Sequence, residues 1–208
     1  MRRRRPQGFT LVELIIVMVV TGIVSLMAPS LLFHGVKTMV FLPKALAANQ
    51  VAMEVTQQIM EGGFSTLAGQ TTVRGLRFAG RRSASEPAIW LAETNRIGFL
   101  TSDGQRVVVW LEGGVVKRRL RPDATCPPPA PLPSEVEDIP YDTSGITLTG
   151  PLFAYYNQSG SSVSAPGCAS AAAIRRVDLE FVAQTGSGVF DEGQARQSMK
   201  TSVAIRVP

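Results

Sequence analysis

A single carboxylate, Glu13, lies in an otherwise apolar stretch and is the residue whose chemistry most needs explaining. The stretch runs from Phe9 to Phe33 and contains no other ionisable side chain. An ionised carboxylate inside a membrane helix costs several kcal/mol unless a partner neutralises it. Glu13 therefore either lies at the level of the lipid headgroups or meets a cation. If the chain is cut after Gly8, the new α-amino group of Phe9 in a neighbouring copy provides that cation.

Enzymatic chemistry finds little support in the sequence. The only histidine, His34, lies at the edge of the apolar stretch, so a Ser-His-Asp triad lacks its base. Neither a phosphate-binding G-x-x-x-x-G-K-[ST] loop nor a zinc-binding H-E-x-x-H helix is present. Four acids in a proline-rich segment lack the spacing of an EF-hand and are interpreted as a solvated charged run: Glu135, Glu137, Asp138 and Asp142. We predict no catalytic residue, no cofactor and no metal site, and we disfavour a membrane-tethered enzyme.

The apolar stretch has the length of a membrane helix. It is about 25 residues long, and at about 1.5 Å per residue such a helix crosses a hydrocarbon core of about 30 Å. Four arginines, Arg2 to Arg5, precede the stretch, whereas only Lys37 and Lys44 follow it closely. This asymmetry predicts an N-terminus in the cytoplasm and the remaining chain outside the membrane.

The residues around Glu13 carry a resemblance to a known family. The segment Gly8-Phe-Thr-Leu-Val-Glu-Leu14 resembles the class III leader of type IV pilins and type II secretion pseudopilins. The resemblance implies cleavage between Gly8 and Phe9, N-methylation of Phe9, and a role for Glu13 in filament assembly. It also implies three kinds of partner: a prepilin peptidase, other subunits that pack through the N-terminal helix, and an assembly platform in the bacterial inner membrane.

The net charge raises the question of nucleic-acid binding. The chain carries 21 Lys and Arg against 16 Asp and Glu, but Arg2 to Arg5 belong to the leader, so 17 cations remain after cleavage. A nearly neutral chain binds DNA only through local clusters. The candidate DNA contacts form two such clusters: Arg74, Arg77, Arg81 and Arg82 in the first, and Lys117, Arg118, Arg119 and Arg121 in the second.

Two cysteines lie in the part of the chain expected outside the cytoplasm, where a disulfide persists. We predict a bond between Cys126 and Cys168, the alternative being two free or intermolecularly paired thiols. Closing a loop of roughly 40 residues stabilises a domain by about 3–4 kcal/mol on the chain-entropy model.

The elements that position these residues begin with one long helix, predicted from Thr10 to Glu61. Its second half, residues 34–61, is amphipathic, with two neighbouring apolar stripes. One stripe contains Leu42, Leu46, Met53 and Met60, and the other contains Val51, Val55 and Ile59. The domains are thus a leader (1–8), a transmembrane half-helix (9–33), an amphipathic half-helix (34–61) and a globular head (62–208).

The head is predicted to be an antiparallel β-domain, so the fold class is α+β and pilin-like. Phe64 to Glu93 is interpreted as a connector and Arg121 to Ser144 as a proline-rich loop. Period-two patterning and Asp-Gly and Gly-Gly turns predict a meander between these segments. The predicted strands are Arg96–Thr101, Arg106–Leu111, Val115–Leu120, Ile146–Thr149, Leu152–Tyr156, Ile174–Ala183 and Thr201–Val207.

This layout also resembles the larger minor pilins and the J-type minor pseudopilin, through a Leu152-Phe-Ala-Tyr-Tyr156 strand and the strands that follow it. The resemblance implies a structural minor subunit, in priming or at the tip, of either a type IV pilus or a type II secretion pseudopilus. The alternative is a binding module carried on the pilus, for DNA during natural transformation or for surface adhesion.

Overall fold

The computed structural model describes residues 10–65, 72–80, 87–120, 132–140, 145–164, 167–168, 173–185 and 195–205. The chain divides into two compact units, Met1–Pro43 and Lys44–Pro208.

The described part of the first unit is helical. It belongs to helix α1, Leu11–Met60, which continues through Pro29 and Pro43. Every side chain from Leu11 to Pro43 is exposed, although most are apolar. By length and composition α1 is the one helix in the described chain that can cross a membrane. Exposed apolar side chains on all sides are what a helix surrounded by lipid or by other apolar helices requires.

The end of α1 belongs to the second unit and is buried along one face. The buried residues lie within one stripe along the helix: Ala48, Val51, Ala52, Val55, Ile59 and Met60. Of the two predicted stripes, the one containing Val51 therefore faces the head. In the other stripe Met60 is buried, whereas Leu46 and Met53 are exposed. Gly62 follows with a φ of +93°, and a Cβ there would lie 1.9 Å from the Val73 carbonyl oxygen. Glycine is thus required where the chain leaves the helix.

Two short strands and a five-stranded sheet follow. The short pair is β1 (Gly62–Gly63) with β2 (Val73–Arg74), and a 3-10 helix spans Leu76–Phe78. The five-stranded sheet is antiparallel with the order β3-β4-β5-β6-β7. Its strands are β3 (Ile89–Glu93), β4 (Arg96–Leu100), β5 (Arg106–Glu112), β6 (Val115–Leu120) and β7 (Glu137–Ile139). The predicted three-stranded meander is confirmed as β4, β5 and β6.

Two strands of this sheet were not predicted. The stretch assigned as a connector contains β3, whose register shifts between Ile89 and Leu91, so its buried run shows no simple alternation. The stretch assigned as a loop contains β7, and a 3-10 helix at Pro133–Glu135 precedes it. An acidic sequence forms a strand there because Arg118 of β6 neutralises Glu137.

A second antiparallel sheet contains five further strands, in the order β10-β9-β11-β12, with β8 also paired to β11. They are β8 (Ile146–Thr149), β9 (Phe153–Tyr156), β10 (Ser162–Val163), β11 (Arg176–Thr185) and β12 (Arg196–Ala204). The prediction placed the start of the last strand at Thr201, five residues too late, because Met199 is the one apolar residue in its first half. The helix end and both sheets share one apolar core, so the fold is α+β and pilin-like.

The β3–β4 turn joins the two sheets. The Phe153 amide donates to the Thr94 carbonyl oxygen over 2.9 Å. The buried Tyr155 hydroxyl oxygen lies 2.7 Å from the Glu93 carbonyl oxygen and 3.1 Å from that of Arg96. These contacts fix the second sheet against the first at one end of the core.

Candidate functional site

The first turn of α1 is built by a reciprocal interaction between Thr10 and Glu13. The Thr10 amide donates to Glu13 Oε2 over 2.9 Å, and the Thr10 hydroxyl donates to the same oxygen over 3.0 Å. In return the Glu13 amide donates to Thr10 Oγ1 over 3.3 Å. The Thr10 carbonyl oxygen accepts the first helical hydrogen bond, from the Leu14 amide. This arrangement is a capping box, which satisfies amides that the helix itself leaves without partners.

The capping box gives Glu13 a role that the sequence analysis missed. Its signal was the Thr-x-x-Glu spacing in front of an apolar run. Both bonds from Thr10 reach Oε2, and within the described chain Glu13 Oε1 accepts none. The carboxylate is therefore held in place by its own chain, with one oxygen still able to accept from a cation.

The other two residues of the predicted motif, Gly8 and Phe9, lie outside the described residues. Cleavage between them and N-methylation of Phe9 remain predictions. Thr10 would be the second residue of a chain cut after Gly8, so both members of the capping box stay in the mature protein.

The first basic cluster does not form an open cationic surface where it is described. Arg74 lies with its Nε 3.2 Å from Asp103 Oδ2, and its guanidinium lies 5.3 Å from the centre of the Phe78 ring. Arg77 forms an ion pair with Glu61, just after the end of α1. The remaining members, Arg81 and Arg82, lie outside the described residues.

The described residues of the second basic cluster also form ion pairs with carboxylates. Lys117 Nζ lies 3.2 Å from Glu112 Oε2, and Arg119 forms an ion pair with Glu135. Both Trp110, which donates to the Glu112 carboxylate, and Lys117 lower the pKa of Glu112. Arg121 lies outside the described residues. Each described member of both clusters is therefore matched by a carboxylate, and DNA binding gains no support from them.

Arg118 is the most deeply buried member, and its surroundings form a small network. Its Nε donates to Glu137 Oε1 over 2.6 Å, and its Nη2 donates to the Phe64 carbonyl oxygen over 2.9 Å. The Ser65 hydroxyl donates to Glu137 Oε2 over 3.0 Å. A guanidinium held in this way cannot reach DNA. Instead, the network connects β6 and β7 with the segment that follows α1.

Cys168 follows Gly167, which forms an isolated β-bridge with Ala92 at the edge of β3. It is disulfide-bonded, whereas Cys126 lies outside the described residues, so their pairing remains a prediction. The neighbouring Gly167 exchanges two backbone hydrogen bonds with Ala92, of 2.9 and 2.7 Å. In the described part of the chain no group of three His, Cys, Asp or Glu side chains is placed to hold a metal ion.

Comparison with known families identifies the N-terminal segment. Residues 3–29 match the family model described as the prokaryotic N-terminal methylation motif, a match that includes Gly8, Phe9 and Glu13. This motif is that of precursors of the type IV pilin and pseudopilin type, which prepilin peptidase processes and which assemble as structural subunits. Together the motif and the apolar helix indicate membrane anchoring. No curated protein matches the chain.

Proposed function

We propose that the chain is a minor pilin or pseudopilin that assembles through α1 into a type IV pilus or a type II secretion pseudopilus, in priming or at the tip. Before assembly it is anchored in the bacterial inner membrane, with the N-terminus in the cytoplasm and the head in the periplasm. The observation that carries this proposal is the methylation motif at the start of a 50-residue helix whose side chains from Leu11 to Pro43 are all exposed.

The length of α1 supports assembly rather than simple anchoring. At about 1.5 Å per residue the helix is about 75 Å long, whereas the hydrocarbon core of a bilayer is about 30 Å thick. Exposed apolar side chains continue well beyond the first 20 residues of the helix, at Met39, Val40, Phe41 and Leu42. The membrane covers one part of this surface, and the helices of neighbouring subunits cover the rest.

Glu13 supports a specific contact between subunits. Thr10 holds its carboxylate through Oε2, which leaves Oε1 available to the N-methylated α-amino group of Phe9 in the next subunit. A charge-assisted bond of this kind is short and strong in an apolar environment. It also sets the helices in register, because each subunit offers only one such amine near one such carboxylate.

Three substitutions separate the charge of Glu13 from its capping role. Glu13→Gln keeps an oxygen that accepts from Thr10 but has no charge, so we expect normal processing and at least about tenfold less protein in sheared filaments. Thr10→Ala keeps the charge, loses about 1 kcal/mol of capping and should assemble nearly normally. Glu13→Ala loses both features and should assemble no better than Glu13→Gln. The measurements are intact mass for processing and immunoblots of sheared filaments for assembly.

Two results would contradict the assembly contact. Normal incorporation of Glu13→Gln would show that the charge is dispensable. A loss in Thr10→Ala as large as that in Glu13→Gln would assign the effect to the helix cap instead.

Processing is tested separately with Gly8→Ala. The variant should accumulate as a precursor that is heavier than the mature chain by residues 1–8 and lacks the methyl group on Phe9. Gln7→Ala, one residue earlier, should be cut normally. If Gly8→Ala were processed like the parent chain, the cleavage site would lie elsewhere.

We also propose that Cys168 pairs with Cys126 and not with a cysteine of another chain. Non-reducing peptide mapping of the purified full chain should then yield one cross-linked peptide containing both residues. Disulfide-linked dimers in non-reducing gels would contradict this pairing.

A further inference from the structure

The last strand of the head, β12, has a long free edge. β11 pairs with β12 over nine consecutive residue pairs, from Arg176 with Ala204 to Gln184 with Arg196, without a shift in register. In the part of the chain that the structure describes, no strand pairs with the opposite edge of β12. This edge contains no proline and no bulge, two of the features that block further strand pairing, and the charges on it are the cations Arg196 and Lys200, which repel a basic strand and attract an acidic one.

The direction of the backbone groups follows from the hydrogen bonds at the two ends of the pair. The Thr185 amide donates to the Ala195 carbonyl oxygen over 3.1 Å, and the Ile205 amide donates to that of Arg175 over 2.7 Å. Bonded and non-bonded pairs alternate in an antiparallel ladder, so odd-numbered residues of β12 bond to β11. The even-numbered residues direct their N–H and C=O groups to the free edge: Arg196, Ser198, Lys200, Ser202 and Ala204.

Among the strands that the structure describes, the other sheet edges are short or covered. The edge of β3 is closed by the two hydrogen bonds between Ala92 and Gly167. Strands β7 and β10, which end their sheets, have only three and two residues. A nine-residue edge without a paired strand is the exception among the described strands, and such edges are ready templates for another chain. Along it the Gln197 side-chain amide donates to the Ser198 carbonyl oxygen over 3.4 Å, a long contact within an exposed pair of neighbours that an added strand would displace.

The side chains along β12 indicate what kind of segment fits. The outer row has two cations, and Lys200 Nζ lies 3.0 Å from Glu180 Oε2, which raises the pKa of Lys200. Arg196 has no carboxylate partner within the described residues. On the other face Met199 is half-buried against the core, and an added strand would cover it. The free edge therefore favours a segment with acidic residues on the outer face and apolar residues on the core face.

We propose that β12 is a docking edge for an extended segment of a different polypeptide in which apolar and acidic residues alternate. The segment adds a strand to the second sheet through the even-numbered backbone groups. Its acidic residues lie beside Arg196 and Lys200, and its apolar residues lie beside Met199. This contact is independent of assembly through α1 and operates in the head alone.

Charge argues against a second copy as the occupant. Two copies joined along β12 bring two Arg196 and two Lys200 side chains onto one ribbon, with only two Glu180 carboxylates to offset them. Like charges on neighbouring strands destabilise the pairing. An acidic segment removes this repulsion and adds opposite-charge pairs.

The test uses the full chain in detergent micelles and a capped nine-residue peptide that alternates valine and glutamate. We expect the peptide to slow hydrogen exchange at the amides of Ser198, Lys200 and Ser202 at least tenfold, whereas the amides of Gln197 and Met199 are protected already. The same peptide with N-methyl groups on alternate amides is the control, because it keeps the composition but loses the donors of one edge. A valine and lysine peptide should bind at least tenfold more weakly than the glutamate peptide.

Ser198→Pro is the matched variant, because the proline removes a donor that points to the free edge and leaves the ladder to β11 intact. We expect it to fold, with the amides of Gln197 and Met199 still protected, but to bind the peptide at least tenfold more weakly than Ser198→Ala. The proposal is overturned if the even-numbered amides are protected without peptide, if the glutamate peptide adds no protection, or if Ser198→Pro folds and binds as well as Ser198→Ala. Binding of the lysine peptide equal to that of the glutamate peptide would overturn the charge assignment, and self-association through β12 would replace the partner with a second copy.

Discussion

Arg118 Nε lies 2.6 Å from Glu137 Oε1, and the arginine side chain is only 2% exposed. This ion pair holds the edge strand β7 against β6. Through the Phe64 carbonyl oxygen and the Ser65 hydroxyl it also holds the segment that follows α1. Removing one member of such a pair leaves the other charge buried without its partner, and that loss exceeds the energy of an exposed ion pair.

Glu137→Gln should therefore destabilise the head by about 3–5 kcal/mol. The matched control is Glu61→Gln, which breaks the exposed pair with Arg77, whose side chain is 62% exposed, and should cost below about 1 kcal/mol. Urea unfolding of the full chain in detergent, followed by the fluorescence of Trp90 and Trp110, measures both changes. Equal losses in the two variants would show that burial adds nothing to the Arg118 pair.

The Gly113–Gly114 turn between β5 and β6 provides a second prediction. Both residues have positive φ, +63° and +81°, but only at Gly114 would a Cβ meet a neighbour, Thr147 Cγ2 at 2.4 Å. Gly113→Ala should cost about 1–2 kcal/mol, the usual penalty for the left-handed region. Gly114→Ala should cost at least about 1 kcal/mol more, because it also forces the turn away from β8.

Thr147→Ser distinguishes the two contributions, since serine lacks Cγ2. Gly114→Ala should lose more free energy of unfolding than Gly113→Ala, and the double variant Gly114→Ala/Thr147→Ser should recover this difference. The same urea unfolding measures it. If Thr147→Ser recovers nothing in the Gly114→Ala background, the contact with Thr147 is not the cause of the loss.

Periodicity and turn chemistry were sufficient to predict the long helix, the central meander and the α+β class. They fail where a structure depends on a partner far along the chain. The register shift between Ile89 and Leu91 removes the simple alternation by which β3 could be predicted. Strand β7 forms because Glu137 pairs with Arg118, 19 residues earlier. For the candidate site, the sequence predicted that Glu13 has a role in filament assembly. The capping bond to Thr10 is local and is indicated by the Thr-x-x-Glu spacing. Arg118, in contrast, is a predicted DNA contact that the structure buries, and this burial depends on the packing of the head.

The last prediction concerns alkaline pH and the contact between the two sheets. Tyr155 is 2% exposed, and its hydroxyl oxygen lies 2.7 Å from the Glu93 carbonyl oxygen. Burial raises the pKa of Tyr155 well above the ordinary value of 10.0. The folded protein therefore keeps this hydroxyl neutral above pH 10, whereas the unfolded chain ionises it. The stability from this group is present below pH 10 and is lost above it, with a slope that approaches about 1.4 kcal/mol per pH unit as the unfolded tyrosine becomes fully ionised.

Tyr155→Phe should lose about 1 kcal/mol at pH 8, because the carbonyl of Glu93 loses its hydrogen bond. Between pH 10 and 11, where the unfolded tyrosine goes from half to almost fully ionised, its free energy of unfolding should fall by about 1 kcal/mol less than that of the parent chain. Tyr156→Phe is the control. The Arg176 guanidinium lies over the Tyr156 ring, 3.9 Å from the ring centre. This variant keeps Tyr155, so its stability should still fall steeply at alkaline pH. Urea unfolding at each pH measures these slopes. Identical slopes for Tyr155→Phe and the parent chain would mean that Tyr155 ionises as readily in the folded head as in the unfolded chain, and that water reaches the junction of the two sheets.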